Sequence, residues 1–140
     1  MSSRSLNDLA PVFLPYATAF LAECFKLGLD VLPYCTLRSL EDQATLYAQG
    51  RTAPGHIVTM ARPGQSAHNF GLAFDGVPLI GGKPIWNEPL SGPHWQLYGH
   101  AAATVGVQWG GAWHGFVEGP HIEMMDWQNY IPPPTGSIAA

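Results

Sequence analysis

Ser66-Ala67-His68-Asn69-Phe70-Gly71-Leu72-Ala73-Phe74-Asp75 sets an imidazole and a carboxylate seven positions apart across a glycine turn, and its reading decides the fold. On a single helix, seven residues are two turns and leave the two side chains about 10 Å apart, too far to share a metal ion. A turn at Asn69-Phe70-Gly71 followed by an extended run does better. Alternation along residues 72–75 then puts Ala73 and Asp75 on one face, and Leu72 and Phe74 on the other. His121-Ile122-Glu123-Met124 alternates in the same way, and if the two runs are neighbouring strands Asp75 meets His121. Two neutral imidazoles and one carboxylate are donors that Zn²⁺ accepts, and a catalytic zinc takes three protein ligands and keeps one position for water. Glu118, three residues before His121, is the candidate general base. Glu123 competes, but at about 7 Å along a strand from His121 it suits a supporting contact to that ring.

The ten-residue string fits an SxHxxGxAxD pattern and, with Glu118-Gly119-Pro120-His121, resembles the paired motifs of the LAS-type zinc metallopeptidases, the D-Ala-D-Ala carboxypeptidase and dipeptidase group. Tyr47-Ala48-Gln49-Gly50-Arg51-Thr52-Ala53-Pro54-Gly55-His56-Ile57-Val58-Thr59 is similar to the segment before the first ligand in the L-alanyl-D-glutamate endopeptidase branch, which includes phage endolysins. The resemblance spans residues 9–124. It implies zinc held by His68, Asp75 and His121, with Glu118 as base. It also implies hydrolysis of the peptidoglycan stem between L-Ala and D-Glu by a water activated on the metal. Arg38 matches the family's arginine that steadies charge on the scissile carbonyl, a role for which a fixed cation is needed; the alternative is a surface arginine pairing with Glu41 or Asp42. Ser66, Gln43 and His56 are candidate substrate contacts, Gln43 also as a brace for Arg38. Family members often read Gly-Gly-Asp-Trp where this chain has Gly110-Gly111-Ala112-Trp113, and His114 is the candidate replacement for the missing carboxylate. Two other readings stand beside the endopeptidase: a D,D-carboxypeptidase or dipeptidase acting on D-Ala-D-Ala, and a wall-binding module whose zinc is only structural.

The chain has 140 residues, 46% hydrophobic and 11% charged, which suits one globular domain. A net charge of -4 without a basic cluster argues against nucleic acid as partner. Cys24 and Cys35 read as buried free thiols. Met1-Ser2-Ser3-Arg4-Ser5 leads into no apolar leader, and no run approaches the ~18 apolar residues of a membrane span. The expectation is a monomer made in the host cytoplasm that meets peptidoglycan in the periplasm or wall after holin-type release.

The expected fold is α+β, two or three helices on a small antiparallel sheet with the zinc site on its face. Pro11 and Pro15 open a helix whose buried stripe is Phe13, Ala17, Phe20, Cys24 and Leu27, with Gly28 at its end. Residues 31–37 are extended, with Pro33 marking an edge position. Ser39 caps a short helix closed by Gly50, and residues 51–65 form a loop. After Asp75, Gly76 and Gly81-Gly82 separate two short strands. A helix follows from Pro93 to a stop at Gly106, carrying His94 and His100 toward solvent. Gln108-Trp109 and residues 121–125 are the last strands. Residues 1–130 are the catalytic domain and 131–140 a flexible proline-rich tail.

Overall fold

The Ser66 hydroxyl accepts the His68 amide and starts a 3₁₀ turn, Ala67–Phe70, that ends at Gly71 with φ 69°. The chain then runs straight into the longest strand of the molecule. The computed structural model describes residues 2–131, so the expected tail beyond Ile131 lies outside the described residues. Three helices, α1 (Leu14–Lys26), α2 (Leu40–Ala48) and α3 (Pro93–Val105), accompany strands β1 (Asp30–Cys35), β2 (Ala73–Ile80), β3 (Lys83–Pro84), β4 (Val107–Trp109) and β5 (His121–Met124). The sheet is antiparallel throughout, in the order β1-β2-β5-β4, with β3 paired to the far end of β2. This is the α+β architecture that the alternating runs require.

One face of the sheet is core. Phe74 of β2 meets Phe13 and Phe20 at ring-centroid distances of 6.5 and 5.7 Å, and Phe20 stands edge-on to Tyr98 of α3 at 4.9 Å. Burying side chains of this size supplies roughly 1.5–3 kcal/mol each. The expected α1 stripe is correct at Phe13, Ala17, Phe20 and Cys24, all buried. On α3, Trp95, Tyr98, Ala101 and Ala102 face inward, and Gly106 ends the helix with φ 83°. Both cysteines are free and buried.

Three expectations need correction. The strand after Asp75 is not broken at Gly76: β2 continues to Ile80, and only Gly81-Gly82 make the turn into β3. Gly76 marks a close approach instead, since a Cβ there would lie 3.0 Å from the Tyr98 hydroxyl. β1 is an edge strand as Pro33 implies, but it stops at Cys35 rather than reaching Leu37. The reason is a competing partner, because Thr36 donates its amide to the Ser3 carbonyl and Leu37 accepts the Ser3 amide, both at 2.8 Å. His94 does not face solvent freely. Its ring lies 2.8 Å from Glu88, whose carboxylate also accepts the His94 and Trp95 amides and so caps α3.

Candidate active site

Asp75 and His121 are direct partners in the β2–β5 register, with Ala73 opposite Glu123 two steps along. All four therefore share the sheet face opposite the aromatic core. The 3₁₀ turn brings His68 over them. Its Nε2 lies 3.1 Å from Asp75 Oδ1, and His121 Nδ1 lies 3.4 Å from the same oxygen. The two rings are 5.0 Å apart at their centroids.

The outer nitrogens fix the chemistry of the inner ones. His68 Nδ1 sits 2.8 Å from the Thr36 carbonyl, and His121 Nε2 sits 2.8 Å from the Glu123 carboxylate. Both partners only accept, so both outer nitrogens carry hydrogen. In the neutral rings the inner nitrogens are then bare, and both stand beside one carboxylate oxygen, Asp75 Oδ1. Such an arrangement needs a cation or protons between the groups. His121 Nδ1 is buried and makes no hydrogen bond despite its 3.4 Å approach to Asp75. Donors about 2.0 Å from a tetrahedral zinc stand about 3.3 Å from one another, close to the 3.1 and 3.4 Å at which the two inner nitrogens stand from Asp75 Oδ1. His68, Asp75 and His121 thus fit a zinc ion, with a carbonyl and a carboxylate orienting the two rings.

Protonation without metal follows the same logic. Burial pulls the pKa of His68 down, but the adjoining Asp75 carboxylate outweighs it and the net shift is upward. His121 is likewise depressed by burial and raised on balance by Asp75 and Glu123. Burial would lift Asp75, yet the two rings hold it far below the usual carboxylate range.

Cys35 offers a rival donor set, since its sulfur and donors of His68 and Asp75 lie within 4.8 Å of one another. The sulfur is on the wrong side of the ring, however: it lies 4.0 Å from His68 Nδ1, the nitrogen already committed to Thr36. It also accepts from Arg38 at 3.3 Å, so a metal on that sulfur would stand against a guanidinium. The geometry favours His121 as the third donor.

Arg38 is anchored at both ends. Its amide donates to the His68 carbonyl at 2.9 Å, and its own carbonyl accepts from Asn69 Nδ2 at 3.1 Å. Its guanidinium, 11% exposed, pairs with Asp75 Oδ2 at 3.4 Å and donates to Gln43 Oε1 at 3.0 Å. It is a cleft arginine rather than a surface one. Gln43 is fully buried and donates to the Ala61 carbonyl at 2.7 Å, so its amide braces Arg38 and offers substrate no free end.

Glu118 reaches the cleft through a tight junction with the end of β4. Its amide donates to the Gly110 carbonyl at 3.1 Å, and a Cβ on Gly110 would lie 2.4 Å from the Glu118 carbonyl oxygen. Burial raises the Glu118 pKa, Asp75 adds to this, and His121 opposes. Tyr98 ties the two ligand strands from below, donating to the Pro120 carbonyl at 2.6 Å and reaching the Gly76 carbonyl at 3.3 Å.

Arg38, Glu118 and His121 form a divide between two cavities. One, of about 500 Å³, is lined by Gln65, Ser66, Trp113, His114, Glu123 and Gln128, among others. The other, of about 430 Å³, runs past Asp75 to Tyr34, Leu46, Ile57, Val58 and Val117. Ser66 and His114 therefore stand at the cleft. His56 lines neither cavity; it is exposed, and its carbonyl accepts from Gln49 at 3.0 Å. The clamp from Thr36 carries no signal in sequence, because it is a main-chain oxygen.

Two family models, both described as D-alanyl-D-alanine carboxypeptidase, match residues 59–124 and 7–80. The peptidoglycan L-alanyl-D-glutamate endopeptidase CwlK of Bacillus subtilis (strain 168) is 39% identical over 125 residues, covering 85% of this chain and 75% of that protein. The L-alanyl-D-glutamate peptidase of Listeria phage A118 is 33% identical over 124 residues, 86% of this chain and 41% of the relative. In fold, the L-Ala D-Glu endopeptidase ChiX of Serratia marcescens superposes with a TM-score of 0.62 at 22% identity, covering 93% of this chain and 92% of that one. The LD-carboxypeptidase LdcB gives 0.63 at 17% identity over 83% and 58%.

Proposed function

Since the chain belongs to the LAS-type peptidases, we propose that it hydrolyses the L-Ala-D-Glu bond of the peptidoglycan stem with a zinc ion held by His68, Asp75 and His121. When bound, such an ion supplies Lewis-acid polarisation of the scissile carbonyl and acidifies the attacking water. Thr36 and Glu123 keep both imidazoles turned with their bare nitrogens inward. Glu118, whose pKa burial raises, takes the proton of the attacking water and delivers it to the leaving amine. Arg38, immobilised by Gln43 and Asp75, holds the charge that develops on the carbonyl oxygen. The observation that carries this reading is the pair of imidazoles clamped from outside, with both inner nitrogens beside one carboxylate oxygen.

The specificity rests on the two curated relatives named for the L-alanyl-D-glutamate bond. The second reading, removal of D-Ala from D-Ala-D-Ala ends, draws on the description shared by both family models. Mass analysis of digested muropeptides separates the two: new D-Glu amino termini support the endopeptidase, whereas released D-Ala supports the carboxypeptidase. We also propose a lysin role, for which the phage relative is the support. Among the described residues no helix is long and apolar enough to cross a membrane. Metal analysis of purified protein should find about one zinc per chain, and an absence of bound zinc at full activity would end the metallopeptidase reading.

A further inference from the structure

The segment that leads from α2 toward the 3₁₀ turn is held by side chains. Among the described residues, 54–61 take part in no hydrogen bond between main-chain groups. Arg51 supplies the hold. It donates to the Tyr47 carbonyl at 2.6 Å, one of those that the end of α2 leaves without a helical partner, and to the Thr59 carbonyl at 3.0 Å. Its guanidinium lies over the Tyr47 ring, with Cζ 3.8 Å from the centroid, and reaches the Met60 sulfur at 3.4 Å. Thr59 carries the hold forward, its hydroxyl accepting the Ala61 amide at 3.1 Å. The Ala61 carbonyl receives Gln43 Nε2 at 2.7 Å, and Gln43 Oε1 receives Arg38 at 3.0 Å. An unbroken run of contacts thus joins Arg51 to the guanidinium beside Asp75.

From this run we infer that Arg51 is a positioning residue for the reaction, fixing through Thr59, Ala61 and Gln43 the guanidinium that faces the charge on the scissile carbonyl. The inference rests on the role given to Arg38 above. Arginine suits the task because its planar fork spans two carbonyls while its face packs on a ring, whereas an ammonium is a single point on a flexible stem. Gln43 is fully buried, so an Ala61 carbonyl that drifts away leaves its amide hydrogens without an acceptor. The side chain then turns to find another, and its oxygen leaves Arg38. Thr59 also lines both cavities, so the same clamp sets a wall beside which substrate lies. The two effects separate kinetically. A displaced wall weakens binding of the ground state, whereas a displaced Arg38 fails a charge that exists only in the transition state and so lowers kcat.

Steady-state hydrolysis of a muropeptide with an intact L-Ala-D-Glu bond tests the clamp. Arg51→Ala is expected to lower kcat about three- to thirtyfold with zinc retained. A loss carried by KM alone, or no loss, overturns the assignment. Arg51→Lys is expected to lose kcat in the same way, and it carries the test if thermal melts show that Arg51→Ala does not fold. In a Gln43→Ala background the run is already cut, so Arg51→Ala is expected to cost less than about a further twofold in kcat; a repeat of the full loss overturns the route through Gln43. An arm independent of activity follows the Gln43 side-chain amide protons of zinc-loaded protein by NMR. Their exchange with solvent is expected to be at least roughly tenfold faster in Arg51→Lys than in wild type, and equal rates overturn the clamp. If wild type leaves L-Ala-D-Glu intact, the endopeptidase reading falls by itself, and the exchange rates still decide whether Arg51 holds Gln43.

Discussion

Removing the Glu123 carboxylate isolates the feature on which the site depends. In Glu123→Ala the Nε2 hydrogen of His121 loses its acceptor at 2.8 Å, and the ring is free to turn or to change tautomer. Groups that orient a metal-bound imidazole typically contribute 10- to 100-fold in metal affinity, about 1.4–2.7 kcal/mol at 25 °C. Glu123→Gln keeps an oxygen at the same reach and should recover most of that loss. Cys35→Ser is the control, since its sulfur faces the committed side of His68, and it should stay within about threefold of wild type if a thiolate gives the metal nothing. The assay is zinc competition against a chromophoric chelator at pH 7.5, with thermal melts of metal-free protein to show that each variant folds. Should Cys35→Ser lose affinity while Glu123→Ala stays within twofold of wild type, the donor set argued above is wrong.

Other outcomes follow from the same geometry. Glu118→Gln should retain zinc but lose about 10²- to 10⁴-fold in hydrolysis, read from muropeptide release; loss of metal instead would make Glu118 a ligand. Tyr98→Phe removes the hydroxyl shared by the Pro120 and Gly76 carbonyls and should cost about 1 kcal/mol, or roughly 3–5 °C in Tm by calorimetry. For metal-free protein the pH dependence has a definite sign. His68 and His121 have folded pKa values above the ordinary 6.5, so their stabilisation is complete below about pH 6.5 and drains away as pH rises through the raised values. Asp75 is depressed below 3.8, so its contribution is present above about pH 4 and is lost as pH falls. Denaturant melts of chelator-treated protein should therefore weaken from pH 6 to pH 9 more than those of zinc-loaded protein, and identical slopes would contradict the charged pairing.

The meeting of Asp75 and His121 was legible because two four-residue runs alternate, one ending on Asp75 and the other beginning on His121, and the register that pairs these two buries Phe74 and Ile122 together. Glu123 was legible for the same reason, as a residue two steps from His121 on a shared face. Thr36 was not, since any residue type there would offer the same carbonyl, and what puts it under His68 is the pairing with Ser3 and Ser5. Gly76 was misread as punctuation. A glycine inside a strand can mark a turn or a neighbour pressed against the backbone, and only the position of Tyr98 distinguishes them. His94 illustrates a longer reach, because its partner Glu88 lies outside the helix and turns back to cap it.

The way Thr36 is held has a practical corollary. Ser3 exchanges main-chain hydrogen bonds with Thr36 and Leu37, and the Ser5 carbonyl receives the Thr36 hydroxyl at 2.8 Å. The leading residues are thus splinted to the peptide that keeps one imidazole in its working tautomer. Trimming the chain back to Leu6 would remove that splint at the far end from any catalytic group, and a preparation made that way would register as metal-poor for reasons of protein engineering alone.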